Sequence, residues 1–139
     1  MKELNIRARL TSFRVAAFSS DNPAEGNGSP WKLELQQDIE VGFEIPARQE
    51  SPLQAVVRLE LRANARNEND GQQSAAFRGE YLARFSFPPG VTQAAAARLI
   101  EQEPFQYLLV AQAYPLAMTH FRRELQATGF DARQLPLGI

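Results

Sequence analysis

The sequence predicts an α+β fold: a four-stranded antiparallel sheet followed by a short and a long helix packed on one of its faces. Three observations lead there. Apolar and polar side chains alternate with a two-residue period through the first two thirds of the chain, turn-forming residues separate the alternating runs, and the period becomes helical after Phe87-Pro88-Pro89-Gly90.

The clearest alternation runs from Trp31 to Ile45. Trp31, Leu33, Leu35, Ile39, Val41, Phe43 and Ile45 occupy odd positions, and Gln37 is the one polar residue among them. The even positions hold Lys32, Glu34, Gln36, Asp38, Glu40, Gly42 and Glu44. Such a run buries one face of a strand. At about 3.3 Å per residue it is long for a strand, so a bend is expected near Gln36-Gln37 or Gly42. Asn5 to Phe18 alternates as Ile6, Ala8, Leu10 and then changes phase to Phe13, Val15, Ala17. Leu53 to Arg66 and Ser74 to Phe87 supply the remaining strands. The links at 21–30 and 46–52, and Asn69-Asp70-Gly71, are rich in turn residues, so neighbouring strands are expected to pair in sequence order as a meander. Arg58, Arg62 and Arg66 share the wet face with Glu60, which reads as a solvated surface of mixed charge.

Thr92 is placed to cap a short helix that stops before Pro104. Val110, Tyr114, Ala117, Phe121 and Leu125 then form one apolar stripe, and Gly129 ends the long helix. Proline is well tolerated in a first helical turn, so Tyr114-Pro115 is expected to begin that helix, leaving 105–113 as an apolar connector. A tail with Phe130, Leu135, Leu137 and Ile139 follows.

A chain of 139 residues can bury one core, so residues 1–139 are read as a single domain. The 15 basic and 16 acidic residues are interspersed, which gives no basic field for nucleic acid. No run approaches the roughly 20 apolar residues of a membrane span, and the charged start lacks a signal-peptide core, so a cytoplasmic protein with no membrane insertion is expected. Without cysteine there is no disulfide, thiolate or cysteine-bound zinc. His120 is the single histidine and has no nucleophile motif near it, and neither a metal-ligand spacing nor a phosphate-binding glycine loop is present. The expectation is no enzyme, no catalytic residue, no metal and no cofactor. What stands out is a surplus of large apolar residues at 105–110 and in the tail, the mark of oligomer contacts or of a groove for an apolar partner.

Several segments resemble SecB, the bacterial protein-export chaperone family. Val56 to Ala65 is similar to its third strand, Ala75 to Tyr81 to its fourth strand with Glu80 at the family's glutamate, and Ala83 to Phe87 to its aromatic strand end. Tyr114-Pro115-Leu116-Ala117 matches the aromatic-Pro-x-Ala start of its long helix, and Thr128-Gly129-Phe130 to Leu135-Pro136-Leu137 resembles its ending. The resemblance implies a tetramer built as a dimer of dimers, which holds unfolded precursor polypeptides in apolar grooves and passes them to the motor SecA. On that reading, client binding falls to Phe13, Phe85, Phe105, Tyr107, Leu109, Phe130 and Leu135. The oligomer core falls to Tyr114, Ala117, Phe121 and Leu125, and SecA contact to Glu80. The chain departs from the family in its near-neutral charge, in Arg78 where leucine is usual, in Met118 where arginine is usual, and in stopping at Ile139 without the family's last helix and motor-binding tail. These departures leave open a chaperone associated with a toxin–antitoxin system without SecA contact, or a scaffold subunit that buries the same residues against a fixed partner.

Overall fold

The computed structural model describes residues 6–21, 31–46, 48, 52–68, 73–133 and 135–138. The turns expected at 22–30 and at Asn69-Asp70-Gly71, most of the link at 46–52, and Ile139 lie outside the described residues. The strands are β1 (Arg9–Asp21), β2 (Trp31–Glu44), β3 (Gln54–Asn67) and β4 (Gln73–Ser86); the helices are α1 (Gln93–Ile100) and α2 (Glu103–Ala127).

All strand pairs are antiparallel, as expected, but the spatial order is β1-β4-β3-β2. This corrects the meander: β2, β3 and β4 follow one another, while β1 lies against β4 at the opposite edge from β2, a Greek-key arrangement. Alternation specifies which face of a strand is buried and not which strand lies beside it. Pairing with β4 brings Phe13 onto Tyr81, rings stacked at 6.0 Å, and Phe18 edge-on to Phe121 at 6.1 Å.

The expected bend in β2 is replaced by an unbroken register from Trp31↔Asn67 to Glu44↔Gln54. Irregularities occur elsewhere: the β3–β4 register shifts between Ala65 and Arg66, and in β1 the register shifts between Leu10 and Ser12 and again between Val15 and Ala17. The first β1 shift is the phase change visible in the sequence, since it carries the inward set from Leu10 to Phe13. The second turns Ala17 outward, opposite Glu80, and brings Phe18 inward, opposite Gly79.

The inner faces of β3 and β4 are buried along their length through Val57, Leu59, Leu61, Phe77, Tyr81 and Phe85, under α2. Thr92 caps α1 by accepting from the Ala95 amide at 3.1 Å. The long helix begins roughly three turns before the expected Tyr114-Pro115. Pro104 stands in its first turn, where a missing N–H costs nothing, and Pro115 lies inside. The interior proline leaves the Ala111 carbonyl without its amide partner, at a cost of about 3 kcal/mol. Against that, Phe105, Leu109, Ala113, Ala117, Phe121 and Leu125 form a buried ridge at four-residue steps across the proline. Each large member contributes about 1.5–3 kcal/mol, so packing outweighs the lost bond. Gly129, at φ +96°, ends the helix, with the Phe130 amide donating to the Leu125 carbonyl at 3.1 Å and that of Gly129 to Gln126 at 3.0 Å. Arg122 Nε then donates to the Ala132 carbonyl at 3.1 Å, seating the tail so that Ala132 and Leu135 are buried.

Two substitutions check this account by chemical denaturation. Pro115→Ala restores the ladder bond and should raise stability by about 1–3 kcal/mol. A Cβ on Gly79 would fall 2.5 Å from the Tyr81 hydroxyl and 2.7 Å from its ring, which is buried and hydrogen-bonded and so has nowhere to swing. Gly79→Ala should therefore lower stability by about 1–3 kcal/mol despite the better strand propensity of alanine.

Candidate functional site: an apolar cleft at the start of the long helix

The segment before β1, the end of α1 and the first turns of α2 enclose a cleft of about 500 Å³. Ile6 and Ala8 form one wall, Leu99 the second, and Phe105, Leu108 and Leu109 the third, with Arg7, Gln102 and Gln112 at the rim. The elbow between the helices is held by backbone bonds, Gln102 N–H to Leu99 at 3.0 Å and Gln106 N–H to Gln102 at 3.0 Å, and by the Gln106 side-chain amide donating to the Ile100 carbonyl. Phe105 stacks on Phe87 at 6.0 Å, which anchors the floor to the end of β4. Leu108 stands at the cleft, 58% exposed, while Phe105 and Leu109 are buried beneath it. Among the described residues the lining contains no carboxylate, histidine or hydroxyl side chain, and its apolar walls can take up apolar side chains.

The residues assigned to client binding do not form one groove. Phe85, Phe105, Leu109 and Leu135 belong to the buried core; Phe13 and Phe130 are half-buried against Tyr81 and Phe77; Tyr107, 54% exposed, is the one that faces water. Of the seven, Phe105 and Leu109 line the cleft. Ile6, Ala8, Leu99 and Leu108 join them there without having been assigned to it. Leu108 is recognisable once 103–127 is one helix, because it then lies off the buried ridge.

The oligomer assignments also need correction. Tyr114, Ala117, Phe121 and Leu125 are buried against the chain's own sheet, so they present no surface to a second copy. Tyr114 donates its hydroxyl to Gln37 Oε1 at 2.8 Å, which accounts for the polar interruption in the β2 alternation. Glu80 lies on the outer face in a charge network: Arg78 Nη2 is 2.8 Å from Glu80 and Arg78 Nε is 3.1 Å from Glu60. The two carboxylates hold the Arg78 guanidinium above its ordinary pKa, with the Glu60 hydrogen bond the larger cause.

His120 bridges helix and sheet. Its Nδ1 is 2.9 Å from the Tyr81 hydroxyl, its Nε2 is 3.4 Å from Glu124, and Phe18 meets its ring edge-on at 5.7 Å. Burial, and then the Glu124 charge, push the Tyr81 hydroxyl well above its ordinary pKa, a tether and not an activated nucleophile. Among the described residues no group of three or more histidine or acidic side chains could hold a metal ion, and no helix is long and apolar enough to cross a membrane.

No protein-family model matches the chain, and no curated protein matches it in sequence. Among solved structures it is similar to the SecB-like chaperone Rv1957 of Mycobacterium tuberculosis in complex with a ChAD peptide from the Rv1956 HigA1 antitoxin. The TM-score is 0.66 at 16% identity, over 94% of this chain and 90% of that one. The fold is SecB-like. Among the described residues the helices cover one face of the four-stranded antiparallel sheet, and the charged side chains of β3 and β4 lie on the other.

Burial of the phenol sets an alkaline limit. The Tyr81 pKa is higher in the folded than in the unfolded chain, so this group's contribution is full below the unfolded value, about 10, and is lost as pH rises above it. Tyr114, shifted upward by burial, adds in the same direction. Stability measured against pH should fall above about pH 10, and Tyr81→Phe should make that fall shallower.

Proposed function

We propose that this chain is a holdase that captures unfolded polypeptides by their apolar side chains, in the cytoplasm and without enzymatic chemistry. The observation that carries this reading is the cleft itself, apolar and open to water beside the exposed Leu108. The likeness to a peptide-bound SecB-like chaperone supports it.

One apolar side chain seated in the cleft contributes about 1.5–3 kcal/mol. That falls short of the roughly 4 kcal/mol of even millimolar binding, so retention of a client requires several clefts on one particle. We therefore include a homo-oligomer, a tetramer on the family pattern, in the proposal. Tyr107 and Leu116, the latter 41% exposed, are the apolar residues of α2 left for contact between copies. Weak and repeated contacts suit a chaperone, because sequence selectivity would exclude clients.

Two client classes separate within this reading. The antitoxin peptide bound to the similar chaperone favours an antitoxin segment as client. Transfer to SecA through Glu80 is less favoured, because Arg78 occupies that carboxylate. A scaffold subunit with one fixed partner is the reading outside the chaperone class.

Leu108→Asp places a charge at the cleft without touching the core. It should weaken capture of reduced, carboxymethylated lactalbumin at least tenfold, with particle mass by light scattering unchanged. Wild-type protein should suppress the aggregation of several unrelated denatured proteins at near-stoichiometric ratio; protection of none would favour the scaffold. Retained capture by Leu108→Asp would remove the cleft from the mechanism.

A further inference from the structure

The segment that follows α2 is built like a peptide laid on the sheet. Gly129 turns the chain out of the helix at φ +96°, and none of the described residues from Phe130 to Gly138 lies in a strand or helix. Phe130 sits edge-on to Phe77 at 5.4 Å, Ala132 and Leu135 are buried in the core cluster, and Leu137 is exposed. Between them, Asp131 and Arg133 face water and pair with each other at 2.9 Å. Arg122 anchors the segment, its Nε donating to the Ala132 carbonyl at 3.1 Å and its Nη2 to that of Arg133 at 3.5 Å.

The sheet beneath explains why a cover is needed there. The inward residues of β3 and β4 are large at mid-sheet, Leu59, Leu61 and Tyr81, and small towards the Asn67 end of β3, where Ala63 pairs with Phe77 and Ala65 with Ala75. Alanines leave a shallow apolar bed that side chains of the opposite layer must fill, since a void forfeits packing contacts. Leu125 is the last buried residue of α2, and Phe130 continues that layer over Phe77. A cover anchored by a guanidinium and a few buried side chains, with no ladder or helix of its own, belongs to the part of a fold that opens locally most readily.

We propose that residues 130–135 are an internal stand-in for a client, and that their release from Arg122 opens a second capture surface on Ala63, Ala65, Ala75 and Phe77. The occupant is an unfolded segment with the pattern the chain itself places there: an aromatic residue, a small one two positions on and a leucine three beyond, as in Phe130, Ala132 and Leu135. The proposal rests on the holdase reading and extends it. The cleft is lined by α2 from Pro104 to Gln112 and the bed lies past Leu125, so one subunit can grip a chain at both ends of the helix, as weak binding requires. A tethered segment competes at high effective concentration, so a client gains the bed only in the fraction of molecules from which the segment has left. Particles without a client keep this apolar surface covered, which limits their self-association.

The test is a nuclear magnetic resonance titration of the full chain with a capped Phe-Asp-Ala-Arg-Gln-Leu peptide, against a Ser-Asp-Ala-Arg-Gln-Ser control. Arg122→Ala removes the anchor and Leu135→Ser the buried leucine, and neither residue belongs to the bed or to the cleft. Each variant should bind the first peptide about tenfold more tightly than wild type, because its open fraction is larger. The Ala63, Ala75 and Phe77 amides should respond, and those of Leu99 and Leu108 should not. A purely structural segment would lose stability in both variants without that gain, and Leu135→Ser decides the matter should Arg122→Ala unfold. Capture of lactalbumin is scored separately: peptide gain without capture removes the holdase reading alone, and capture without peptide gain removes this one. An equal response to the control peptide, or perturbations at the cleft, would also overturn the assignment.

Discussion

The fold depends on the contact between the buried ridge of α2 and the inner faces of β3, β4 and β1. It forces Pro115 into a helix interior, because the apolar residues on either side of the proline contribute more by staying on the sheet than one hydrogen bond costs. It also decides the neighbour of β1, since Phe13 and Phe18 are covered only when β1 lies against β4 beneath that helix. The Tyr81 ring, held over Gly79 and bonded to His120, ties the two layers at their midpoint.

The same contact divides apolar residues into those used by the fold and those left over. The buried side of α2 consumes Phe105, Leu109, Tyr114, Ala117, Phe121 and Leu125 within one subunit. The surplus that remains is smaller than the sequence suggests: Tyr107, Leu108 and Leu116 on α2, with Val15, Ile45 and Leu137 exposed elsewhere. A surface with so few anchors can hold a disordered chain only weakly, so function by this route requires repetition of the site.

The outer sheet face follows a different logic. Like charges stand directly opposite one another there, Glu60 against Glu80 and Arg62 against Arg78, and the repulsion is relieved by ion pairs along β3 (Arg62–Glu60) and diagonally across to β4 (Arg78–Glu60). Exposed pairs of this kind contribute little to stability. Their effect is to balance acidic against basic groups locally, and Glu40 stands across from Arg58 in the same way, so a nearly neutral chain presents a surface of mixed charge there.

The sequence by itself determined the α+β class, the inward sets of β2, β3 and β4, the first phase change in β1, the cap at Thr92 and the helix end at Gly129. Each is written locally, in side-chain alternation or in a residue whose backbone preference acts over one turn. Only the tertiary structure decided the pairing of β1 with β4, the start of α2 at Glu103, and which apolar residues face water. Those outcomes rest on contacts between segments far apart in the chain. Proline weakens a helix by an amount that nearby residues cannot offset but a sheet can, and an apolar side chain becomes core or surface only when its opposite layer is in place.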